Sequence, residues 1–276
     1  MKVSFFLGKG GVGKTTLSLL YAIENKDKKL ALVSLDKAHN LKDALIHFSD
    51  KDIKHILIEE VDIEKEIENY LERKKKEIES KFSFFSIYNL DMFFKNLKHA
   101  PGIEEEIYLH IIEKKIKDYK SYDIIYFDMP PTALSLRILS LPNINLAFID
   151  FLKDIRKKIF ERKKLINQIK DDKVLKKLEK LQVFYLFLNK LIKSSNINII
   201  LNLDPLSFRE TNLILKKLKE FNFNFNLIYL IINKVKENVD IDTIIDFATK
   251  YNCEEIINFI KTNPSNIKIQ KYLEFV

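Results

Sequence analysis

A single cysteine, Cys253, stands in a chain of 276 residues. That count excludes an intrachain disulfide and any multi-cysteine metal site within one chain, and leaves a small buried side chain as the default reading. The five histidines, His39, His47, His55, His99 and His110, show no ligand spacing on a shared face, so no zinc site is expected. No apolar run approaches bilayer-spanning length, and Phe5-Phe6-Leu7 runs at once into glycines, which leaves no room for a signal peptide. The expectation is a cytoplasmic protein with no transmembrane segment. Gly/Pro/Ser-rich linkers, internal repeats and low-complexity tracts are missing as well. Charge of one sign is only mildly in excess, with 47 Lys and Arg against 39 Asp and Glu. Basic runs such as Arg73-Lys74-Lys75-Lys76 and Arg162-Lys163-Lys164 sit among glutamates at helical spacing. They read as solvated helix faces rather than one concentrated patch, and nucleic acid is not expected as a partner.

What is present begins at the first residues. Lys2–Leu7 reads as a short apolar strand that runs into Gly8-Lys9-Gly10-Gly11-Val12-Gly13-Lys14-Thr15-Thr16. The spacing Gly8-x4-Gly13-Lys14-Thr15 is that of a phosphate-binding loop. Its glycines let backbone N–H groups curl around phosphates, Lys14 reaches the β/γ-phosphates, and the Thr15 hydroxyl faces Mg²⁺. A helix opening at Lys14 adds the positive end of its dipole. A nucleotide's phosphates with Mg²⁺ are what these residues predict. Lys9 lies too early in the loop to duplicate Lys14. In this position it resembles the signature lysine of the deviant phosphate-loop ATPases, in which two protomers sandwich nucleotide and that lysine crosses to the partner's phosphates. By analogy with an arginine finger, such a cation is worth about 10³ to 10⁵ in rate. The resemblance implies ATP or ADP as the nucleotide and a nucleotide-dependent homodimer.

Further apolar runs at 30–35, 123–127, 197–203 and 227–232 alternate with helical patterns. They predict an α/β fold, a mostly parallel, doubly wound phosphate-loop sheet covered on both faces. The ligand then sits at the carboxyl ends of the strands. Two long strand-poor segments, about 63–119 and 146–195, read as an inserted helical subdomain continuous with the nucleotide core, within one domain over 1–276.

The second strand ends at Asp36, where a carboxylate can meet a γ-phosphate and orient water, although an Asp there also caps helices or forms turns. The third ends at Asp128, placed to hold Mg²⁺, usually through a water, opposite Thr15. Together with Leu136-Arg137-Ile138-Leu139-Ser140-Leu141-Pro142 these tracts resemble the arsenite-pump ATPases and the related targeting factors for tail-anchored membrane proteins. Asp36-Lys37-Ala38-His39-Asn40-Leu41 is similar to that family's first switch, Pro101-Gly102-Ile103-Glu104-Glu105 to its Pro-Gly-Ile helix start, and Asp128 through Pro142 to its second switch. Asp204-Pro205-Leu206-Ser207-Phe208-Arg209-Glu210-Thr211 and Ile231-Ile232-Asn233 complete the series. The resemblance implies that Gly8, Gly10, Gly11, Val12, Gly13, Lys14, Thr15 and Thr16 bind nucleotide phosphates. It further implies that Lys9 acts in trans, Asp36 positions water, Asp128 serves the Mg²⁺ shell and Asn233 reads adenine. Pro264 falls where a late loop packs on the base, though a surface turn explains it equally well.

Departures from the pattern are Lys37 for the first switch's proline, and Ala133 and Leu134 for the second switch's Gly-His. They leave the phosphate loop intact and put switch coupling in question. Arsenic is held by several thiolates in the pump enzymes, and Cys253 stands alone. The targeting factors cradle an apolar client helix on methionine-rich helices. Here there are three methionines, while Phe82, Phe84, Phe85, Phe93 and Phe94 crowd one helical segment and Phe148, Phe151, Phe160, Phe184 and Phe187 the other. Those rings either glue the helices to the core or line a groove for a client protein. A partitioning-type ATPase holding DNA or a membrane surface is the alternative, and an arsenite-pump catalytic subunit a further one.

Overall fold

The computed structural model describes residues 1–37, 41–46, 48–81, 90–167, 172–235 and 239–271. First-switch residues 38–40 and Phe82, Phe84 and Phe85 lie outside them. Strand β1 (Lys2–Leu7) enters the phosphate loop and α1 (Lys14–Glu24) follows. Next come β2 (Leu30–Ser34), two short helices, α2 (Leu41–Leu45) and α3 (Asp50–Ile53), and β3 (Ile56–Glu60). Three helices, α4 (Ile63–Lys81), α5 (Leu90–Leu97) and α6 (Ile103–Asp118), lead to β4 (Ile124–Asp128). The pair α7 (Thr132–Asn167) and α8 (Lys173–Lys193) precedes β5 (Asn196–Asn202). Then follow α9 (Pro205–Glu220), β6 (Ile228–Val235), α10 (Ile241–Lys250), α11 (Glu254–Thr262) and β7 (Ile267–Lys271).

All seven strands are parallel, in the order β3-β2-β4-β1-β5-β6-β7. β1 is therefore central, with β4 and β5 as neighbours. Its alternate side chains feed opposite cores. Phe5 and Leu7 join Phe127, Ile199 and the buried faces of α6, α7 and α9, while Phe6 packs with Tyr126, Leu32 and the α1 residues Leu17 and Ala22. Phe5 stacks on Phe127 at 5.3 Å and Phe6 meets Tyr126 edge-on at 5.2 Å. Burial on both faces is why these strands read as unbroken apolar runs.

The sequence pattern missed two strands, β3 and β7, and both lie at the edges. Ile56-Leu57-Ile58-Glu59-Glu60 and Ile267-Lys268-Ile269-Gln270-Lys271 carry polar residues because an edge strand is only partly covered, so a search for continuous apolar runs passes over them. The segment 63–119 holds α4, α5 and α6. The boundary expected at 146 falls inside α7, which runs on from Thr132.

Helices α7 and α8 are antiparallel, tied by Arg156 to Asp172 at 2.7 Å and by a chain from Lys153 through Gln182 to Asp150. Asp172 also caps α8, accepting from the Val174 and Leu175 N–H groups. Between Thr132 and Lys193 stand fifteen Lys and Arg against six Asp and Glu, a larger excess than the +8 of the whole chain. The expectation of dispersed charge is corrected accordingly. It holds for α4, where Lys74 and Lys76 pair with Glu77 and Glu72, and fails on this helix pair, whose cations outnumber their acidic neighbours.

One side of α7 puts Ile138, Leu139, Leu146 and Ile149 into the core. The other exposes Ile144, Phe148, Phe151, Ile155 and Ile159, spaced four, three, four and four residues apart, so that they form one row along the helix. Two apolar faces make 132–161 long and apolar enough to span a membrane by length and composition, which the expectation of no such run overlooked. Of its most apolar stretch 39% is buried in the core, and the exposed row supplies much of the rest.

Candidate nucleotide-binding site

At the carboxyl end of β1 the chain must turn sharply beneath β5. A Cβ at Gly8, where φ is +149°, would stand 2.3 Å from the Ile200 carbonyl oxygen. One at Gly13, with φ +97°, would stand 2.5 Å from Asn233 Nδ2. Glycine is thus required at both positions by close approach and by backbone conformation. Nothing lies within 4 Å of a Cβ built on Gly10 or Gly11, so the mouth of the loop is open.

Helix α1 begins at Gly13 with no side-chain cap and no acidic residue in its first turn. Helices α8, α9 and α10 are each capped by an aspartate, Asp172, Asp204 and Asp240. The free N–H groups and dipole of α1 are left for an external anion. Lys14 is 5% exposed and its Nζ donates to the Lys9 carbonyl at 3.3 Å, which folds the ammonium back over the loop. Lys9 itself is half-buried, and Thr16 follows in the first turn of α1.

Thr15 and Asp128, which the sequence places opposite each other from Asp128's position at a strand end, come together. Thr15 Oγ1 donates to Asp128 Oδ2 at 2.7 Å, and Ser34 Oγ, at the end of β2, approaches the same oxygen at 3.4 Å. Asp128 Oδ1 is buried with no hydrogen-bond partner among the described residues. A fully buried carboxylate needs compensation. Burial pushes the Asp128 carboxyl up to about 6, with Asp36 adding in the same direction against Thr15, Lys14 and Ser34. A hydroxyl and an uncompensated carboxylate oxygen, both hard oxygen donors beside a phosphate cradle, fit Mg²⁺. The Leu35 N–H donates to the Asp128 backbone carbonyl at 2.8 Å, which brings the start of the Asp36 segment alongside the end of β4.

Asn233, at the end of β6, turns its Nδ2 to the Val12 carbonyl at 2.8 Å, so the amide braces the loop from below. Pro264 is a correction. It is exposed and opens a short 3₁₀ turn ahead of β7, where Asn266 Nδ2 binds the carbonyls of Asn226 and Ile228 at the start of β6. In an all-parallel sheet that is the amino edge, opposite the phosphate loop, and Pro264 is a turn former there.

Three nearby polar side chains escaped the sequence reading. Ser34 joins Asp128. Lys234, in the left-handed region at φ +57°, donates to the Gly11 carbonyl at 3.0 Å. Asn202, beside Asn233 across the β5–β6 ladder, keeps Oδ1 buried and without a partner among the described residues. Their one common signal is a polar residue closing an apolar strand.

A glycine cradle after the central strand, an uncapped helix start, and a Thr in the first turn of that helix paired with an Asp at the end of the neighbouring parallel strand define a phosphate-loop nucleotide hydrolase. Comparison with known proteins is more particular. The profile of the family described as Anion-transporting ATPase matches residues 1–272, and the chain belongs to that family of ATPases. It is 30% identical over 242 residues to a putative arsenical pump-driving ATPase 2 of Aquifex aeolicus, covering 85% of this chain and 80% of that one. It is 36% identical over 156 residues to ATPase GET3 of Komagataella phaffii, and 31% over 171 residues to an ATPase ASNA1 homolog of Entamoeba histolytica. These two alignments cover 52% and 58% of this chain, and 45% and 50% of the relatives' own lengths.

Proposed function

We propose that this ATPase works as a nucleotide-bridged homodimer whose helices α4 to α8 form a subdomain that binds and releases an apolar helix of a membrane-protein client. The loop N–H groups and Lys14 bind the phosphates, Thr15 and Asp128 hold Mg²⁺, Asp36 orients the attacking water, and Lys9 reaches the partner protomer's nucleotide. Held there, Mg²⁺ would supply positive charge to the phosphate oxygens. Gly8 and Gly13 keep the loop close to the sheet, and Asn233 holds its Val12 carbonyl.

The row Ile144, Phe148, Phe151, Ile155 and Ile159 on α7 carries the client reading. Phe148 and Phe151 are 59% and 61% exposed, and a bare apolar row of this length on a folded helix marks a surface for a partner. Val183, Leu186 and Phe187 on α8 and Met92 and Phe93 on α5 are exposed as well. The two readings of the phenylalanines divide between them. Phe94 is buried and Phe184 stacks on His110 at 4.6 Å, so those two are glue, whereas Phe93, Phe148, Phe151 and Phe187 face outward. The basic excess of α7 and α8 favours a client whose apolar helix has acidic flanks.

The test is fluorescence binding of a synthetic apolar helix with acidic ends, in Mg²⁺ and a non-hydrolysable ATP analogue. The double variant Phe148→Ser/Phe151→Ser should lose at least about tenfold in affinity, about 1.4 kcal/mol, with its melting temperature unchanged. Equal affinity in parent and variant would sink the client reading. The same basic surface suits a polyanion, so strongly salt-dependent binding of duplex DNA by both proteins would favour the partitioning alternative. Cys253 is buried and lone, which leaves the metalloid reading without its several thiolates.

A further inference from the structure

Lys37 follows Asp36 and stands where the family pattern has proline. Its Nζ lies 2.9 Å from Glu104 Oε1 and 3.0 Å from Glu64 Oε1. Glu64 belongs to the first turn of α4 and Glu104 to the first turn of α6, so one ammonium joins the first switch to two helices at once. The contact is part of a wider cluster. Lys98, just past α5, reaches the other Glu64 oxygen at 3.0 Å and Glu68 at 3.1 Å. Arg137, on α7 beyond Asp128, holds Glu105 of α6 at 2.7 Å. Three tracts that are far apart in the chain, 36–37, 101–105 and 136–137, thereby converge on one cleft lined by Lys37, Glu64, Lys98, Glu104, Glu105 and Arg137.

Partial burial works against the Lys37 ammonium, but hydrogen bonds and charge from Glu104 and Glu64 outweigh it and hold its pKa above the usual lysine value. One turn along α6, the Tyr108 hydroxyl is buried without a hydrogen-bond partner among the described residues, and Asp36, Glu104 and Glu64 are among the charges that raise its pKa beyond what burial does. Helix α6 thus presents a charge to the segment that carries Asp36, with a buried hydroxyl one turn further along.

The geometry points to Lys37 as a positioning residue. It latches the Asp36 segment to the N-terminal turns of α4 and α6, so that the placement of Asp36 at the phosphate site and the seating of those helices change together. The inference rests on the water-positioning reading of Asp36. A proline restrains this position through its fixed φ and has no cation to offer a helix. An ionic latch differs in a measurable way, because half-exposed charge pairs are weakened by salt and a backbone restraint is not. Such pairs add little to overall stability, so the latch separates from a merely structural role.

The experiment compares the parent with Lys37→Met, Lys37→Arg and the charge exchange Lys37→Glu/Glu104→Lys. Steady-state hydrolysis is measured from low to high KCl, and amide hydrogen exchange at the first turns of α4 and α6 is measured with ADP and with an ATP analogue. Lys37→Met should lower kcat about three- to tenfold with KM for ATP and melting temperature little changed. Lys37→Arg should keep most of the turnover, and the charge exchange should recover part of it. Parental kcat should fall with salt toward that of Lys37→Met, which stays flat. In the parent, nucleotide should change exchange at both first turns, and Lys37→Met should abolish the difference. Parental kcat together with an unaltered exchange response in Lys37→Met overturns the latch, and so does a loss of kcat matched by a fall in melting temperature. Failure of the underlying reading looks different: Asp36→Asn would then hydrolyse ATP at the parental rate, whatever the exchange response shows.

Discussion

Asp128 pairs function with a cost in stability. Its carboxyl is raised from 3.8 to about 6 in the folded chain, chiefly by burial. A group whose folded pKa lies above its unfolded value binds its proton more tightly when folded, so its effect turns unfavourable as pH rises from about 4 through 6 and then stays so. The penalty in metal-free protein is at most about 3 kcal/mol. Asp128→Asn should therefore abolish hydrolysis and yet melt higher than the parent in EDTA at pH 8, with the gap closing toward pH 4. Calorimetry at the two pH values checks it, and a variant that melts lower at pH 8 would refute the assignment of Asp128 as an uncompensated charge. Gly8 and Gly13 show the same logic in the backbone, since positive φ and contacts of 2.3 and 2.5 Å are accepted to hold a loop against the sheet.

Helix α7 is divided lengthwise between a face buried in the core and an exposed apolar face, and adjacent residues on it should behave oppositely. Ile149 is 4% exposed and Phe148 59% exposed. Ile149→Ala should cost about 2–5 kcal/mol through the cavity it leaves, whereas Phe148→Ala should stay within about 0.5 kcal/mol. Urea denaturation of the two variants decides this, and equal losses would mean that the exposed row is packed against something in solution. Helical periodicity in the sequence shows that α7 is apolar at many positions. It does not show which of two apolar faces is covered, because that depends on where the core of the sheet lies.

A homodimer bridged by nucleotide is the proposed working state of the whole molecule, and Lys9 is its most exacting test. Lys9 is half-buried in the loop, with its carbonyl holding Lys14. Lys9→Ala keeps that carbonyl, so the folded monomer should still bind ATP while turnover falls by about 10³ or more if the ammonium acts on the partner's phosphates. Steady-state hydrolysis and analytical ultracentrifugation in ATP analogue measure both properties. Unchanged turnover would remove Lys9 from the catalytic set. The basic pair α7 and α8 belongs to this level too, since its charge excess emerges only when the helix boundaries group residues that local runs keep apart.

The glycine loop was legible in the chain because its geometry is local. Gly8, Gly13, Lys14 and Thr15 are related by spacings within one turn, and a strand followed by glycines and a helix specifies that turn almost alone. The central strands were legible for a related reason, since double burial writes itself as an unbroken apolar run. The edge strands β3 and β7, the position of Pro264, the bracing of the loop by Asn233 and Lys234, and the meeting of Lys37 with Glu64 and Glu104 were not. Each depends on which strand lies beside which and on which end of the sheet a loop leaves. Strand order is set by packing over the full chain, so pairings across 27 to 223 residues are decided only when the sheet closes.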